Sequence, residues 1–231
     1  MSSDSFGLQY ADRNPFARRV RFHQSWWRAE RIGVKAGVNN RGDAYGNFLT
    51  EADAVAGLNF LTSEIHRYAT ERIASGGGVE EFRCVRNLLS SQPMAFNLFG
   101  PLHDDPGLAA LLLDPLLPGG VQTASVDVEW APPRTLHLDD ATSFDVVARY
   151  VRADGREAIA GIETKLTEPF SQKVYGLDDR HTDRYREVAR PIRRLDQPRR
   201  PQADRHPLEP GVAQPTPRGV DATAARGPAR M

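Results

Sequence analysis

The sequence predicts an α/β fold of the α+β kind: helices first, then a three-strand meander within a mixed sheet, then a further helix. Three observations predict it. Apolar residues from Thr50 onward recur at helical spacing. The runs 121–130 and 144–151 alternate with the period of two that a strand gives. Asp154-Gly155 stands between the second run and a third, and an Asp-Gly pair there marks a tight hairpin, because a primed turn needs positive φ.

Composition sets the frame. The chain has 231 residues and a formal net charge of zero, enough for one domain with a real core. Without a basic excess, nucleic-acid binding would have to come from a local patch. Lysine occurs only at Lys35, Lys165 and Lys173, and arginine carries the remaining positive charge, as in coding from a GC-rich genome. Cys84 is alone, which excludes a disulfide framework and a cysteine-based zinc site. The N-terminus has no apolar signal-peptide core, and no apolar run is long enough to span a bilayer. A cytoplasmic setting and no membrane are therefore expected.

Residues 1–49 read as an N-terminal arm with loops, the first twenty or so irregular. Phe22, Trp26 and Trp27 lie among several arginines. Such a surface can stack on bases or track a phosphate backbone, although packing of the aromatics onto the domain is the more common use. From Thr50 to Ile73 one helix is predicted, with Thr50 as N-cap and Val55, Leu58, Leu61, Ile65 and Tyr68 as its apolar stripe. Gly76-Gly77-Gly78 stops it. A second helix starts near Val79 and is kinked or restarted at Pro93. His103-Asp104-Asp105 resembles a metal site only in isolation; Asp105 as N-cap with Pro106 at the first helical position is the better reading.

The third strand is expected over 158–166, a mostly apolar run suited to cover on both faces. In an antiparallel hairpin the start of one strand lies beside the end of the next. Asp145 therefore approaches Glu163, and Lys165 points the same way as Glu163, roughly 6–7 Å along the strand. A helical candidate spans 171–188. From Arg190 to Met231 the chain is dense in Pro and Arg and too poor in apolar clusters to offset its ordering entropy, so a disordered tail is expected. The same bias is what a GC-rich gene gives when read out of frame, and a frameshift near Arg190 would explain it.

Helix, meander, an acid on the second strand and Glu-x-Lys on the third: this order resembles the PD-(D/E)XK nuclease superfamily, the restriction-endonuclease-like fold. The residues carrying the resemblance are Asp145, Glu163 and Lys165, with Thr164 at the variable position; the stretch 90–100, SSQPMAFNLFG, resembles an uncharacterised bacterial subgroup. The nuclease-like domain would cover 50–189, possibly truncated, since the superfamily core continues with a strand where the tail begins. The resemblance implies a metal-dependent endonuclease that hydrolyses DNA. Asp145 and Glu163 would bind Mg²⁺ or Mn²⁺, with the Thr164 carbonyl as a further ligand, and Lys165 would activate water or stabilise the transition state. It also implies an acid from the first helix, for which Glu64 is the candidate, with Glu51 and Glu81 behind it. Gln172 and Lys173 would reach the substrate backbone. The rival reading is an inactive nuclease fold serving as a nucleic-acid-binding or interaction module. An ordinary surface Glu-Lys pair contributes little, but two charges ending a doubly covered strand are costly unless they have a task.

Overall fold

The computed structural model describes residues 6–76, 78–132 and 143–168, together with Asp183. Two strands form where alternation predicts them, β1 (Thr123–Trp130) and β2 (Phe144–Val151), and β3 (Glu157–Ile162) follows; the three are antiparallel and in the order β1-β2-β3. Ala124, Val126 and Val128 on β1 and Val146, Ala148 and Tyr150 on β2 turn to one face. There they meet Ile65, Tyr68, Phe96, Ala109 and Leu113 from the helices in a single core. Val128 pairs with Val146, and Val146 with Ile162. The end of β1, the start of β2 and the end of β3 therefore form one row, where Glu129, Asp145 and Glu163 emerge.

The β2–β3 turn follows from Asp154-Gly155. Gly155 adopts φ +81°, and the Arg152 amide donates to the Arg156 carbonyl at 2.9 Å. The third strand departs from expectation. It ends at Ile162, and its residues alternate between exposed and half-buried, with Ile159 60% exposed. Among the described residues it is an edge strand covered on one face. Glu163 and Lys165 thus lie just beyond the ladder, and double cover does not account for them. Gly161 has a local reason: a Cβ there would meet the Phe144 ring at 2.5 Å.

The helices are shorter and more numerous than periodicity suggests. The arm is not irregular up to residue 20, because Asn14 accepts from the Phe16 amide and Pro15 opens α1 (Pro15–Trp26). A π turn, Trp27–Ile32, continues it and ends at left-handed Gly33. It sends Arg28 inward, 2% exposed, where its guanidinium donates to the carbonyls of Gly46, Val34 and Phe6. The single helix expected over 50–73 is two. Thr50 caps α2 (Glu51–Val55), Gly57 at φ +78° breaks the chain, and Thr62 caps α3 (Ser63–Ala74). The break leaves Val55 and Leu61 exposed instead of in an apolar stripe. α4 (Glu81–Arg86) gives way to α5 (Ser91–Phe99), capped by Ser90 with Pro93 in its first turn. Asp105 caps α6 (Pro106–Leu113) by accepting from the Leu108 amide, as predicted. His103 is half-buried, stacks on Tyr68 at 4.0 Å and hydrogen-bonds through Nδ1 to the Val126 carbonyl at 2.8 Å. The helix expected over 171–188, with Gln172 and Lys173, lies outside the described residues except for Asp183, and the tail beyond Arg190 lies outside them altogether.

Candidate active site

Beyond β3 the chain crosses the end of the sheet and is fastened to α5. The Glu168 carboxylate accepts from the Ser91 amide at 3.0 Å and from Arg83 at 3.2 Å, and its other oxygen accepts from the amides of Leu166 and Thr167 at 3.2 Å. The first amides of a helix have no partner within it, so a carboxylate is favoured there. Burial acts against the Glu168 charge, but these backbone donors, Ser91 first, hold its carboxyl below the usual range.

This strap sets Thr164 against β2. Its amide donates to Asp145 Oδ2 at 2.7 Å and its hydroxyl to the same oxygen at 3.0 Å. Thr164 is buried, 7% exposed, so the residue between Glu163 and Lys165 orients the first acid. Lys165 then lies between two carboxylates: Nζ is 3.7 Å from Asp145 Oδ2 and in direct contact with Glu163 Oε1. Partial burial works against the ammonium, yet the hydrogen bond to Glu163 and the charge of Asp145 raise its pKa above the ordinary lysine value.

A third carboxylate comes from β1. Glu129 takes φ +54°, a left-handed conformation unusual for a non-glycine residue, and is 3% exposed. Arg72 from the last turn of α3 donates to its carbonyl. Its Oε1 is buried without a hydrogen-bond partner. Burial, with repulsion from Asp145 and Glu163, pushes this carboxyl up to about 7, against partial relief from Gln92 and Arg72. The three acids and Lys165 line a cleft of about 570 Å³, with Arg83, Gln92 and Glu168 on its walls.

The structure thus brings together Asp145, Glu163, Thr164 and Lys165. It does not bring Glu64 to them. Glu64 is exposed in the first turn of α3, where hydrogen bonds with its own amide and with Thr62 and Ser63 lower its pKa. That is eight residues, about 12 Å along a helix, from Arg72, the α3 residue that donates to the Glu129 carbonyl. Glu51 and Glu81 open α2 and α4 and do not line the cleft either. Glu129 and Glu168 were not foreseen. For Glu129 a signal existed: it shares the polar face of β1 with Ser125 and Asp127, and the meander brings that face to Asp145.

Among the described residues, no three His, Cys, Asp or Glu side chains stand ready-made around a metal position. The donors nevertheless fit a hard divalent cation. Four carboxylates line one cleft, Asp145 and Glu163 raise the proton affinity of Glu129, and Glu129 Oε1 is a buried acceptor without a donor.

A helix-backed meander that carries an acid on its second strand and Glu-x-Lys after its third defines the class. The PD-(D/E)XK nuclease superfamily matches residues 11–210, and the chain belongs to that superfamily. No curated protein and no solved structure gives a match. No helix among the described residues is long and apolar enough to cross a membrane.

Proposed function

We propose that this protein is a cytoplasmic endonuclease that hydrolyses DNA phosphodiester bonds with Mg²⁺ or Mn²⁺. The observation that carries the reading is the convergence of Asp145, Glu163 and Lys165 in one cleft with the partnerless carboxylate oxygen of Glu129. Asp145 and Glu163 would hold the cation, joined by Glu129 and the Thr164 carbonyl. A bound cation would supply Lewis-acid polarisation of a phosphoryl oxygen and acidify bound water. The chain's own groups do the rest. Thr164 fixes the Asp145 carboxylate through two donors. Lys165 presents an ammonium to the phosphate oxygens, where charge grows in the transition state, and can orient the attacking water. Arg83 on the cleft wall offers a further cation to the incoming backbone, and Gln172 and Lys173 would extend those contacts.

The test is a cleavage assay on linear and circular DNA with Mg²⁺ or Mn²⁺, comparing wild type with Lys165→Ala. Wild type should cut, and the variant should lose at least a hundredfold in rate with an unchanged circular dichroism spectrum. No cleavage of any nucleic acid across metals and salts would sink the reading. Salt-sensitive binding without turnover would favour a non-catalytic binding module instead. The contact of Lys165 with both carboxylates gives that second reading a basis, since an ammonium can neutralise the pair without a metal.

A further inference from the structure

Two depressions meet at the start of α5. Ser91 and Lys165 line the catalytic cleft, while their chain neighbours Ser90 and Leu166 line a second groove of about 540 Å³. Its other wall is the arm, through His23 and Trp27, and Leu61, Met94 and Leu98 complete it. The groove and the cleft therefore adjoin at the Lys165–Leu166 and Ser90–Ser91 peptides.

The groove surface is apolar and open. Leu61 is 70% exposed, Leu98 59% and Trp27 39%. His23, Trp26 and Trp27 form an aromatic shelf, with ring centroids 5.7 and 6.4 Å apart, and the Arg31 guanidinium lies 5.5 Å from the Trp26 ring. Phe16, Arg19, His23 and Trp27 fall on one stripe of the arm, spaced as residues of one helix face. Arg13, Arg18, Arg19, Arg31 and Lys35 are all exposed, and Glu30 is the only acid between residues 13 and 35. In a chain of zero net charge, this is a concentrated basic patch.

Exposed aromatic faces interleaved with arginines suit a polyanion whose rings are free to stack. A paired duplex keeps its bases stacked inside and offers the shelf no ring. An apolar peptide makes no use of the arginines. We infer that the groove is a stacking subsite for an unpaired nucleotide of the substrate strand, with His23 and Trp27 against the base and Arg19 on a flanking phosphate. The inference rests on the nucleic-acid reading of the adjacent cleft. It makes the preferred substrate one with a single-stranded segment beside the bond that is cut.

The experiment measures binding of the full chain, in EDTA so that nothing is cleaved, to three labelled oligonucleotides: a blunt duplex, the same duplex with a single-stranded overhang, and the single strand. The overhang substrate should bind at least fivefold tighter than the blunt duplex. Trp27→Ala should weaken overhang binding about 5- to 100-fold, Trp27→Phe should retain most of it, and both should bind the blunt duplex like wild type. Arg19→Ala should weaken single-strand binding and reduce its log–log salt slope by about 0.7. Leu98→Asp, at an exposed position that tolerates a polar side chain, gives an independent check by placing an anion in the groove; it should reproduce the Trp27→Ala loss. The inference is overturned if the overhang adds nothing to duplex binding. It is also overturned if Trp27→Ala and Leu98→Asp, with unchanged thermal midpoints, bind the overhang like wild type. Overhang-dependent binding without cleavage under any metal would remove the catalytic reading and leave the subsite standing, whereas cleavage with no overhang dependence would do the reverse.

Discussion

Glu129 concentrates the tension of the cleft in one residue. Its backbone is left-handed, its carbonyl accepts from Arg72, and the ring of the next residue, Trp130, stacks on Phe144 at 6.4 Å. Its carboxyl, pushed up to about 7, couples folding to pH. An unfolded Glu loses its proton near pH 4.5, whereas the native one keeps it to about 7. Between those values the native state binds more protons, so stability falls as pH rises. The loss amounts to about 3 kcal/mol in metal-free buffer. Urea denaturation at pH 5 and pH 8 should resolve that fall in wild type, and Glu129→Gln should flatten it. A parallel decline in both proteins would place the titrating group elsewhere. Thr164 makes a second prediction at this scale. Thr164→Val keeps the shape and removes the hydroxyl donor to Asp145, a loss of about 1–2 kcal/mol. On the nuclease reading, kcat should fall roughly tenfold with KM little changed. Thr164→Ser should restore it, a rescue that a purely steric role for the threonine would not give.

At the scale of elements, the strap from Glu163 to Glu168 determines whether the site exists. One carboxylate satisfies the amides of Ser91, Leu166 and Thr167 at once. Glu168→Ala should cost about 1–3 kcal/mol through unsatisfied donors, with faster amide exchange at Leu166 and Thr167 than across β2. Equal protection at those amides in wild type and variant would mean that the strap is held by other contacts. The contrast between strap and strands also explains what the sequence made legible. The β1–β2–β3 meander, the Gly155 turn and the Asp105 cap follow from local period and turn chemistry, so they could be read directly. Asp145, Glu163 and Lys165 followed from the hairpin alone. Gly57 hid the break between α2 and α3, because Val55, Leu58 and Leu61 keep helical spacing through a chain that turns away. The third carboxylate was sought on α3 because the resemblance pointed to a helix, but cross-strand register brings Glu129 to Asp145, and register is set by the whole sheet. Glu168 was beyond local pattern altogether, since its partner at Ser91 is fixed only by tertiary packing.

For the molecule as a whole, the core lies on one face of the sheet and the like charges lie at one end of it. On the nuclease reading, stability and metal binding are therefore linked. The packing of Val126, Val128 and Val146 against the helices holds Glu129, Asp145 and Glu163 in one cleft despite their repulsion. Lys165 offsets part of that repulsion by pairing with two of the acids. A cation that binds the native cleft and not the unfolded chain adds about 2.7 kcal/mol at a hundred times its Kd. For a chain of this size that corresponds to a rise in Tm on the order of 5–10 °C. Mn²⁺ should produce such a rise over EDTA in wild type, and Asp145→Asn should abolish most of it. Lys165→Ala separates the two roles of the lysine. Without its ammonium the acids repel more strongly in EDTA, so the variant should start from a lower Tm. The same loss removes a competitor for the carboxylates, so its Mn²⁺-dependent rise should equal or exceed that of wild type while cleavage is lost. An equal rise in wild type and Asp145→Asn would locate the metal outside this cleft. A smaller rise in Lys165→Ala than in wild type would show that the ammonium assembles the carboxylates for the metal instead of competing with it.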